Sequence, residues 1–212
     1  MVKLTRMTAV VLAGGKSRRL GRDKREEIVG GQTLLERVVG RLSQISDEII
    51  LVVAADSPPV SLAFPQETSS RRTVVDRFPD QGALGGIYTG VAESASFHSL
   101  VVAGDMPFLN LGLLRYLTAL ADDFDVVVPL VWGRMEPLHA VYSKDCLGPM
   151  ERLMRRTNLK IVDFFPEVKV RTVAEDVITK FDPELRSFFN INTAADLAKA
   201  RDMAGLESEP RN

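Results

Sequence analysis

The sequence is poor in the residues that build disulfides and metal cages. Its 212 residues include one cysteine, Cys146, and two histidines. A single cysteine excludes an intramolecular disulfide, and one cysteine with two histidines is too few for a Cys/His zinc cage. This scarcity fits a reducing compartment, so we expect a cytoplasmic protein.

The chain also lacks a long apolar run and an excess of charge of either sign. No run approaches the roughly 20 apolar residues of a membrane-spanning helix, and residues 1–6 are too few and too polar for a signal peptide. The 27 basic and 28 acidic residues nearly cancel, which argues against nucleic acid or an anionic membrane surface as a partner. Any anion site must therefore be local.

Short apolar runs that alternate with helical patterns predict the fold. Four of these runs are typical of strands buried on both faces of a mostly parallel sheet, at residues 8–12, 48–54, 100–103 and 125–130. Helical spacing of leucine and valine follows a Thr33/Glu36 capping box, and leucines at residues 111–120 follow Asn110 as a candidate N-cap. We predict a three-layer α/β/α sandwich with a Rossmann-like, mostly parallel sheet.

The pattern changes after residue 130. Residues 132–136 look like a connection to a second strand at 138–142, as in a hairpin, and residues 168–173 alternate like a strand with one exposed face. Amphipathic helices are predicted at residues 146–156 and 194–204.

A glycine-rich, strongly basic loop follows the first predicted strand, with the sequence LAGGKSRRLGRDK at residues 12–24. Gly14 and Gly15 permit positive φ and let backbone amides approach a ligand closely, and Ser17 adds a hydroxyl. Positive charge comes from Lys16, Arg18, Arg19, Arg22 and Lys24. A polyphosphate is the anion that makes the best use of this loop, while the alternative is a solvated basic surface turn.

Spacing excludes two familiar phosphate-binding motifs. A Walker A loop ending in Gly15, Lys16 and Ser17 requires glycine where Val10 stands, and no G-x-G-x-x-G follows the strand.

The segment GDMP at residues 104–107 directly follows another apolar run. It places Asp105 at the carboxyl end of a central strand, where open α/β sheets bind ligands. Mg²⁺ prefers one or two carboxylates together with substrate phosphates and water, so Asp105 suits a metal bridge to a triphosphate. The alternative is an ordinary turn closed by Pro107.

The segment DRFPDQGALGGI at residues 76–87 begins a predicted helix. Its glycines can admit a base or ribose against the backbone, and Asp76 or Asp80 can accept hydrogen bonds from an amino group or a hydroxyl. The alternative is a helix-entry loop whose glycines serve close packing.

Two polar features lie farther along the chain. His139 is a candidate general base or donor to a second substrate, although a lone histidine in an apolar strand is commonly structural. Asn190 and Asn192 alternate on an extended segment, so both amides can point toward a ligand, or Asn192 or Thr193 can cap the last helix.

In their order and spacing, these segments resemble the molybdenum cofactor guanylyltransferase family over residues 8 to 198. The matching motifs are the 12–24 loop, the 76–86 loop, GDMP at 104–107, PLHAVY at 137–142 and NINT at 190–193. The resemblance implies a fold of the nucleotide-diphospho-sugar transferase type. It also implies transfer of GMP from MgGTP to molybdopterin carrying molybdenum, with Mg²⁺ as cofactor and pyrophosphate as the second product.

Combined with the chemistry of the individual residues, the resemblance gives the expected site. The expected nucleotide contacts are Leu12, Ala13, Gly14, Gly15, Ser17, Lys24, Asp76, Gly82 and Asp105. The expected catalytic residues are Arg19, Lys24 and Asp105, with Asp105 also binding the metal. The expected second-substrate residues are His139, Asn190 and Asn192. We expect one domain over residues 1–205, with a nucleotide-binding half at 8–130, a second-substrate half at 131–200 and a frayed tail at 206–212.

Two alternatives stay open. Residues 53–56 read VAAD, without the asparagine that family members often place beside the nucleotide. A sister enzyme that uses CTP on molybdopterin or on a sugar or alcohol phosphate is therefore one alternative. The other is a non-catalytic nucleotide-binding relative. Beyond GTP and molybdopterin, molybdoenzymes or their chaperones are candidate partners.

Overall fold

A computed structural model of the chain describes residues 7–14, 24–60 and 70–208. Its strands are β1 (Thr8–Leu12), β2 (Ile28–Val29), β3 (Gln32–Thr33), β4 (Glu48–Val53), β5 (Ser70–Val75), β6 (His98–Ala103), β7 (Val126–Val131), β8 (Arg134–Met135), β9 (His139–Ser143) and β10 (Val170–Val173). Its α-helices are α1 (Leu34–Leu42), α2 (Gly82–Glu93), α3 (Leu111–Ala119), α4 (Leu147–Arg155), α5 (Glu175–Ile178) and α6 (Ala194–Ser208).

A mostly parallel sheet runs through the described chain in the order β10-β7-β9-β6-β1-β4-β5, with β8 paired to β7. The pairs β10–β7, β6–β1, β1–β4 and β4–β5 are parallel, whereas β9 is antiparallel to both β6 and β7. The predicted mostly parallel sheet is confirmed. The same sheet contains strands from both predicted halves of the chain, because β9 and β10 of the second half lie on either side of β7.

Helices cover both faces of this sheet, so the three-layer prediction is also confirmed. On β1, Ala9 and Val11 pack into a core with α1 and α3, whereas Val10 packs into a second core with α2 and α4. These side chains alternate because successive residues of a strand point to opposite faces. With both faces covered, the central strands are apolar throughout, which is the pattern that the sequence shows.

The predicted helix caps form. Thr33 and Glu36 make both hydrogen bonds of the capping box, with Thr33 N donating to Glu36 Oε2 (2.8 Å) and Glu36 N donating to Thr33 Oγ1 (3.1 Å). Asn110 caps α3, since its Oδ1 accepts a hydrogen bond from Leu113 N at 3.0 Å. Both helices therefore begin where local sequence places them.

The connection after β7 is a hairpin, as predicted, with an additional short strand. Trp132 and Gly133 both have positive φ (50° and 71°) and turn the chain into β8, after which β9 returns between β7 and β6. The last helix is longer than predicted, since α6 continues to Ser208 and includes the first three residues of the segment expected to fray. Residues 209–212 of that segment lie outside the described chain.

Among the described helices, none combines the length and the apolar character needed to cross a membrane.

Candidate active site

A pocket of about 830 Å³ opens at the carboxyl edge of the parallel strands. Its walls are the segments that follow β1, β4, β5 and β6, the approach to β9 and the segment before α6. Open α/β sheets bind their ligands at this edge, and the volume lies within the range of small-molecule sites. The edge of the sheet therefore brings together segments that are far apart in sequence.

Backbone hydrogen bonds join these segments into a continuous floor. Ala13 N donates to Val52 O (2.8 Å), Asp76 N to Val53 O (2.8 Å), Gly104 N to Leu12 O (3.0 Å), Ala103 N to Leu138 O (3.0 Å) and Ile191 N to Asp105 O (3.1 Å). The last bond attaches the segment before α6 to the loop after β6. The floor is therefore fixed by main-chain geometry before any ligand binds, which is the preorganisation that a catalytic site needs.

The end of β1 meets the end of β4 at very short range. Leu12, Ala13 and Gly14, which are expected nucleotide contacts, line the pocket. A Cβ at Gly14 would lie 3.0 Å from Ala54 N and 3.3 Å from Val53 C, both backbone atoms that cannot easily give way. The neighbouring backbone alone thus favours glycine at this position.

Part of the basic loop lies outside the described chain. Gly15, Ser17 and Arg19 are among residues 15–23, whose structure is not described. Lys24 begins a short 3-10 helix, Lys24–Glu26, but its side chain also lies outside the described part. The expected phosphate contacts of these four residues stay predictions.

Asp76 has one oxygen committed to the protein and one that faces the pocket. Its Oδ1 accepts hydrogen bonds from Phe78 N (2.9 Å) and from the hydroxyl of Thr89 on α2 (3.1 Å). Thr89 is fully buried and also accepts a hydrogen bond from Arg77 N at 3.0 Å. Since Oδ2 has no hydrogen-bond partner among the described residues, it is available to a ligand, and the expected nucleotide contact of Asp76 stays a prediction.

The glycines at the start of α2 have different surroundings. Gly82 lines the pocket with φ at 55°, and no described atom lies within 4 Å of the place its Cβ would occupy. By contrast, a Cβ at Gly85 would lie 2.4 Å from Phe78 O. Gly82 thus leaves room beside the pocket, whereas Gly85 allows the helix to pack against its own entry loop. Asp80, two residues before Gly82, also lines the pocket.

Asp105 lines the pocket in the loop after β6. The described residues contain no group of three His, Cys, Asp or Glu side chains able to hold a metal ion by themselves. Mg²⁺ commonly takes one or two carboxylates and completes its shell with substrate phosphates and water. Asp105 therefore fits a metal that is shared with a substrate.

Asn190 and Asn192 both line the pocket, on the segment that is bonded to the loop after β6 through Ile191 N and Asp105 O. Thr193 caps α6, since its Oγ1 accepts a hydrogen bond from Asp196 N at 3.1 Å, and the Asp196 carboxylate accepts from the backbone N–H of Asn192 and Thr193. These bonds lower the pKa of Asp196, with the Asn192 N–H as the largest cause. The Asn192 side chain is thus left for the pocket.

His139 does not reach the pocket, and the expected contact with a second substrate is wrong for this residue. Its side chain is fully buried, packs against Phe188 with 4.8 Å between ring centroids, and has no hydrogen-bond partner for either ring nitrogen among the described residues. Burial lowers the pKa of His139 to about 3. A neutral imidazole buried in the core agrees with the alternative interpretation of the sequence, in which His139 is a structural residue.

Three charged residues of the pocket were not identified as site residues from the sequence. They are Arg25, Asp56 and Glu136. Arg25 lies in the charged stretch DKREE at residues 23–27, Asp56 ends the VAAD segment that departs from the family pattern, and Glu136 directly precedes Pro137. The departure at residues 53–56 was a signal for Asp56, whereas Arg25 and Glu136 lie in stretches that already carry other charges. Burial raises the pKa of Glu136, opposed by the positive charge of Arg134.

Among the charged residues of the described lining, carboxylates outnumber cations. The carboxylates are Asp56, Asp76, Asp80, Asp105 and Glu136, with Arg25 as the lone cation of the described lining. In the sequence, the basic residues Lys16, Arg18, Arg19, Arg22 and Lys24 follow the pocket residues 12–14. An arrangement of this kind suits a ligand that combines anionic phosphates with groups rich in N–H and O–H donors.

Comparison with known proteins identifies the family of the chain. Residues 9–167 match the family described as the MobA-like NTP transferase domain. A probable molybdenum cofactor guanylyltransferase from Natranaerobius thermophilus is 36% identical over 203 residues, covering 94% of this chain and 97% of the relative. Its counterpart from Methanosarcina mazei is 39% identical over 211 residues, covering 94% of this chain and 93% of the relative.

Solved structures give the same result for the fold. The molybdopterin-guanine dinucleotide biosynthesis protein A from Archaeoglobus fulgidus superposes with a TM-score of 0.78 at 27% identity, over 94% of this chain and all of that one. The 2-C-methyl-D-erythritol 4-phosphate cytidylyltransferase of Thermus thermophilus shares the fold, with a TM-score of 0.69 at 16% identity over 95% of this chain and all of that one. From the family match and the two close relatives, the chain belongs to the MobA-like NTP transferase family and is a nucleotidyltransferase.

Proposed function

We propose that this nucleotidyltransferase acts in molybdenum cofactor biosynthesis, transferring GMP from MgGTP to a molybdopterin-type cofactor and releasing pyrophosphate. The relatives from Natranaerobius thermophilus and Methanosarcina mazei are named as guanylyltransferases of this cofactor. The observation that carries the proposal is the position of Asp105 between two differently built sides of one pocket.

The two sides of the pocket are defined by the order of the strands. The nucleotide side consists of residues 12–14, 52–56 and 76–86, at the ends of β1, β4 and β5. The second-substrate side consists of residues 136–138 and 190–192. At about 4.8 Å between neighbouring strands, β5 and β9 lie about 19 Å apart, with β6 and Asp105 between them. This span suits two substrates that meet at their phosphates.

In the proposed reaction, an oxygen of the terminal phosphate of molybdopterin attacks the α-phosphorus of GTP in line. The new P–O bond forms as the bond to the pyrophosphate oxygen breaks, and no covalent intermediate with the protein is needed. A phosphate monoester, with its second pKa near 6, already carries a nucleophilic oxyanion at neutral pH. The reaction therefore needs no general base, which agrees with the burial of His139.

The role of the protein in this reaction is to position the substrates and neutralise charge. Asp105 would hold Mg²⁺, which when bound offsets negative charge on the phosphates. The amides of Gly14 and Gly15 and the hydroxyl of Ser17 would bind the β- and γ-phosphates. Arg19 and Lys24 would supply fixed positive charge to the leaving pyrophosphate.

The acids of the nucleotide side favour guanine as the base. Guanine presents N–H donors at N1 and at its amino group, whereas cytosine presents its amino group alone, beside two acceptors. Asp76 and Asp80 are acceptors in their ionised form, and Asp76 Oδ2 faces the pocket. Two carboxylates on this side therefore match guanine better than cytosine.

The proposed cellular setting follows from the same chemistry. Molybdopterin and its dinucleotide product are soluble cofactors that are passed to molybdoenzymes or their chaperones, which are the proposed downstream partners. We place the reaction in the cytoplasm, where the single cysteine stays reduced.

Product analysis tests the proposal. The purified protein is incubated with molybdopterin and either MgGTP or MgCTP, and the dinucleotide and pyrophosphate are quantified, with a reaction lacking molybdopterin as the control. We expect a guanine dinucleotide formed in equal amount to pyrophosphate. A preference for CTP above tenfold would overturn the assignment of the base, and the absence of any dinucleotide would overturn the reaction.

A further inference from the structure

Glu136 lies at the pocket edge on a backbone that is fixed from two directions. It connects β8 to β9, its N–H donates to Pro129 O at 2.9 Å, and its carbonyl accepts from His139 N at 3.0 Å. The next two residues, Pro137 and Leu138, line the same side of the pocket. The side chain therefore starts from a rigid position on the second-substrate side.

The carboxyl group of Glu136 has no partner within the described protein. It is half-buried in the pocket wall, and it forms neither a hydrogen bond nor a salt bridge with another described residue. The positive charge of Arg134 lowers the pKa of this carboxyl, but burial has the larger effect and raises it. Removing a carboxylate from water without a compensating donor is costly. A ligand that supplies donors at this position recovers that cost.

The chemistry of the second substrate restricts what Glu136 can bind. Phosphate groups are anionic, so a carboxylate repels them. A 2-amino-4-oxo pterin ring presents an N–H and an amino group side by side. An ionised carboxylate accepts both hydrogen bonds in parallel, in the geometry that it uses with the fork of an arginine.

We propose that Glu136 recognises the pterin ring of the second substrate through these adjacent N–H and amino donors, and so selects a 2-amino-4-oxo heterocycle. The inference rests on the proposed function, since it assigns a contact within the same site. Glu136 thus determines specificity for the second substrate, whereas Asp76 and Asp80 contact the first.

The test compares two probes that differ at one position of the ring. A 6-alkylpterin monophosphate carries the 2-amino group, and the matched lumazine monophosphate carries oxygen there. Binding to the wild-type protein, to Glu136→Gln and to Glu136→Asp is measured by titrating the fluorescence of each heterocycle. The control is Asp122→Asn, the same loss of charge at an exposed residue outside the pocket lining.

We expect the wild-type protein and Asp122→Asn to bind the pterin at least tenfold more tightly than the lumazine. Glu136→Gln should lose or reverse this preference, because a carboxamide accepts one hydrogen bond and donates the other, which matches the N–H and 2-oxo pair of lumazine. Glu136→Asp keeps two acceptors on a shorter side chain and should keep part of the preference. Affinity for MgGTP should stay within twofold in both variants.

The possible failures are distinguishable. If Glu136→Gln keeps the full preference for pterin while binding MgGTP normally, the inference is overturned and the proposed function stands. If the wild-type protein binds MgGTP but neither heterocycle, both the inference and molybdopterin as second substrate fall. If the preference changes as expected but no dinucleotide forms with molybdopterin, the contact stands and the proposed reaction fails. Should Glu136→Gln not fold, the partial loss in Glu136→Asp decides, and an unchanged preference there overturns the inference.

Discussion

Asp105 is the residue whose side chain bears most directly on the proposed reaction. Asp105→Asn removes the charge that would hold a metal between the phosphates, while the main-chain carbonyl that accepts the hydrogen bond from Ile191 N is kept. We expect kcat to fall by at least about 100-fold, which is typical for loss of one electrostatic contact to the transition state. Steady-state kinetics with MgGTP measures the effect. The midpoint of thermal unfolding should be close to that of the control variant Asp122→Asn, which would show that the fold is intact. Near-normal turnover would contradict the assignment of Asp105 as the metal ligand.

Thr89 tests whether the orientation of Asp76 matters for nucleotide binding. Thr89→Val keeps the shape of the side chain but removes the hydroxyl that bonds Asp76 Oδ1 and Arg77 N, leaving both without this partner. We expect unfolding to become easier by about 1–3 kcal/mol, as for other buried groups left unpaired. The KM for the nucleotide should also rise several-fold, with a smaller change in kcat.

The control for this variant is Thr118→Val on α3, whose hydroxyl donates to Arg115 O within its own helix. It should change stability little and leave the KM unchanged. An equal KM for the two variants would mean that Asp76 does not depend on Thr89.

Which site residues were predictable depended on whether their role is local. Asp105 could be placed from sequence because a carboxylate directly after an apolar run lies at the end of a strand, and that end faces the ligand edge. Thr89 could not, because its contact with Asp76 depends on how closely α2 approaches the strands. Arg25 could not be placed either, because its position in the pocket lining depends on contacts between segments that are distant in sequence.

At the scale of elements, the packing of α2 on β1 depends on a glycine in the middle of the helix. A Cβ at Gly90 would lie 2.2 Å from Val10 Cγ1, a stiff β-branched side chain in the core. Gly90→Ala should therefore destabilise the protein by about 1–3 kcal/mol through overpacking, although alanine is the better helix former. Chemical denaturation measures the change in the free energy of unfolding.

Gly205→Ala on α6 is the matched control for this substitution. No described atom lies within 4 Å of the place that its Cβ would occupy. The same change should there stabilise the protein by about 0.5–1 kcal/mol. If both variants are stabilised, α2 does not pack as closely against Val10 as the structure shows.

The elements themselves were largely predictable, but their order in the sheet was not. Buried strands such as β1 and β4 show as apolar runs, and the capping box at Thr33 marks the start of α1, because these signals act within a few residues. The position of β9, antiparallel between β6 and β7, depends on pairing between distant segments. That pairing brings residues 136–138 to the pocket, and for this reason Glu136 was not recognised from its local sequence.

At the scale of the whole molecule, the sheet joins the two substrate sides into one rigid floor. The hydrogen bond from Ala103 N to Leu138 O ties the second-substrate side to β6, and the bond from Gly104 N to Leu12 O ties β6 to the nucleotide side. His139 directly follows Leu138 in the chain, and its side chain is buried against Phe188. Protonation of the His139 ring would place a charge in this buried position, so it is expected to affect the stability of the whole fold.

His139 makes folding sensitive to acid, because burial lowers its pKa to about 3 in the folded protein, from about 6.5 in the unfolded chain. Between these values the unfolded state binds the extra proton, so stability falls as the pH falls below 6.5, by about 1.4 kcal/mol per pH unit from this group. His139→Leu removes this contribution. Between about pH 8 and pH 5 it should therefore lose about 2 kcal/mol less unfolding free energy than the wild-type protein. Urea denaturation at both pH values measures the difference, and equal losses would mean that His139 takes up a proton in the folded state.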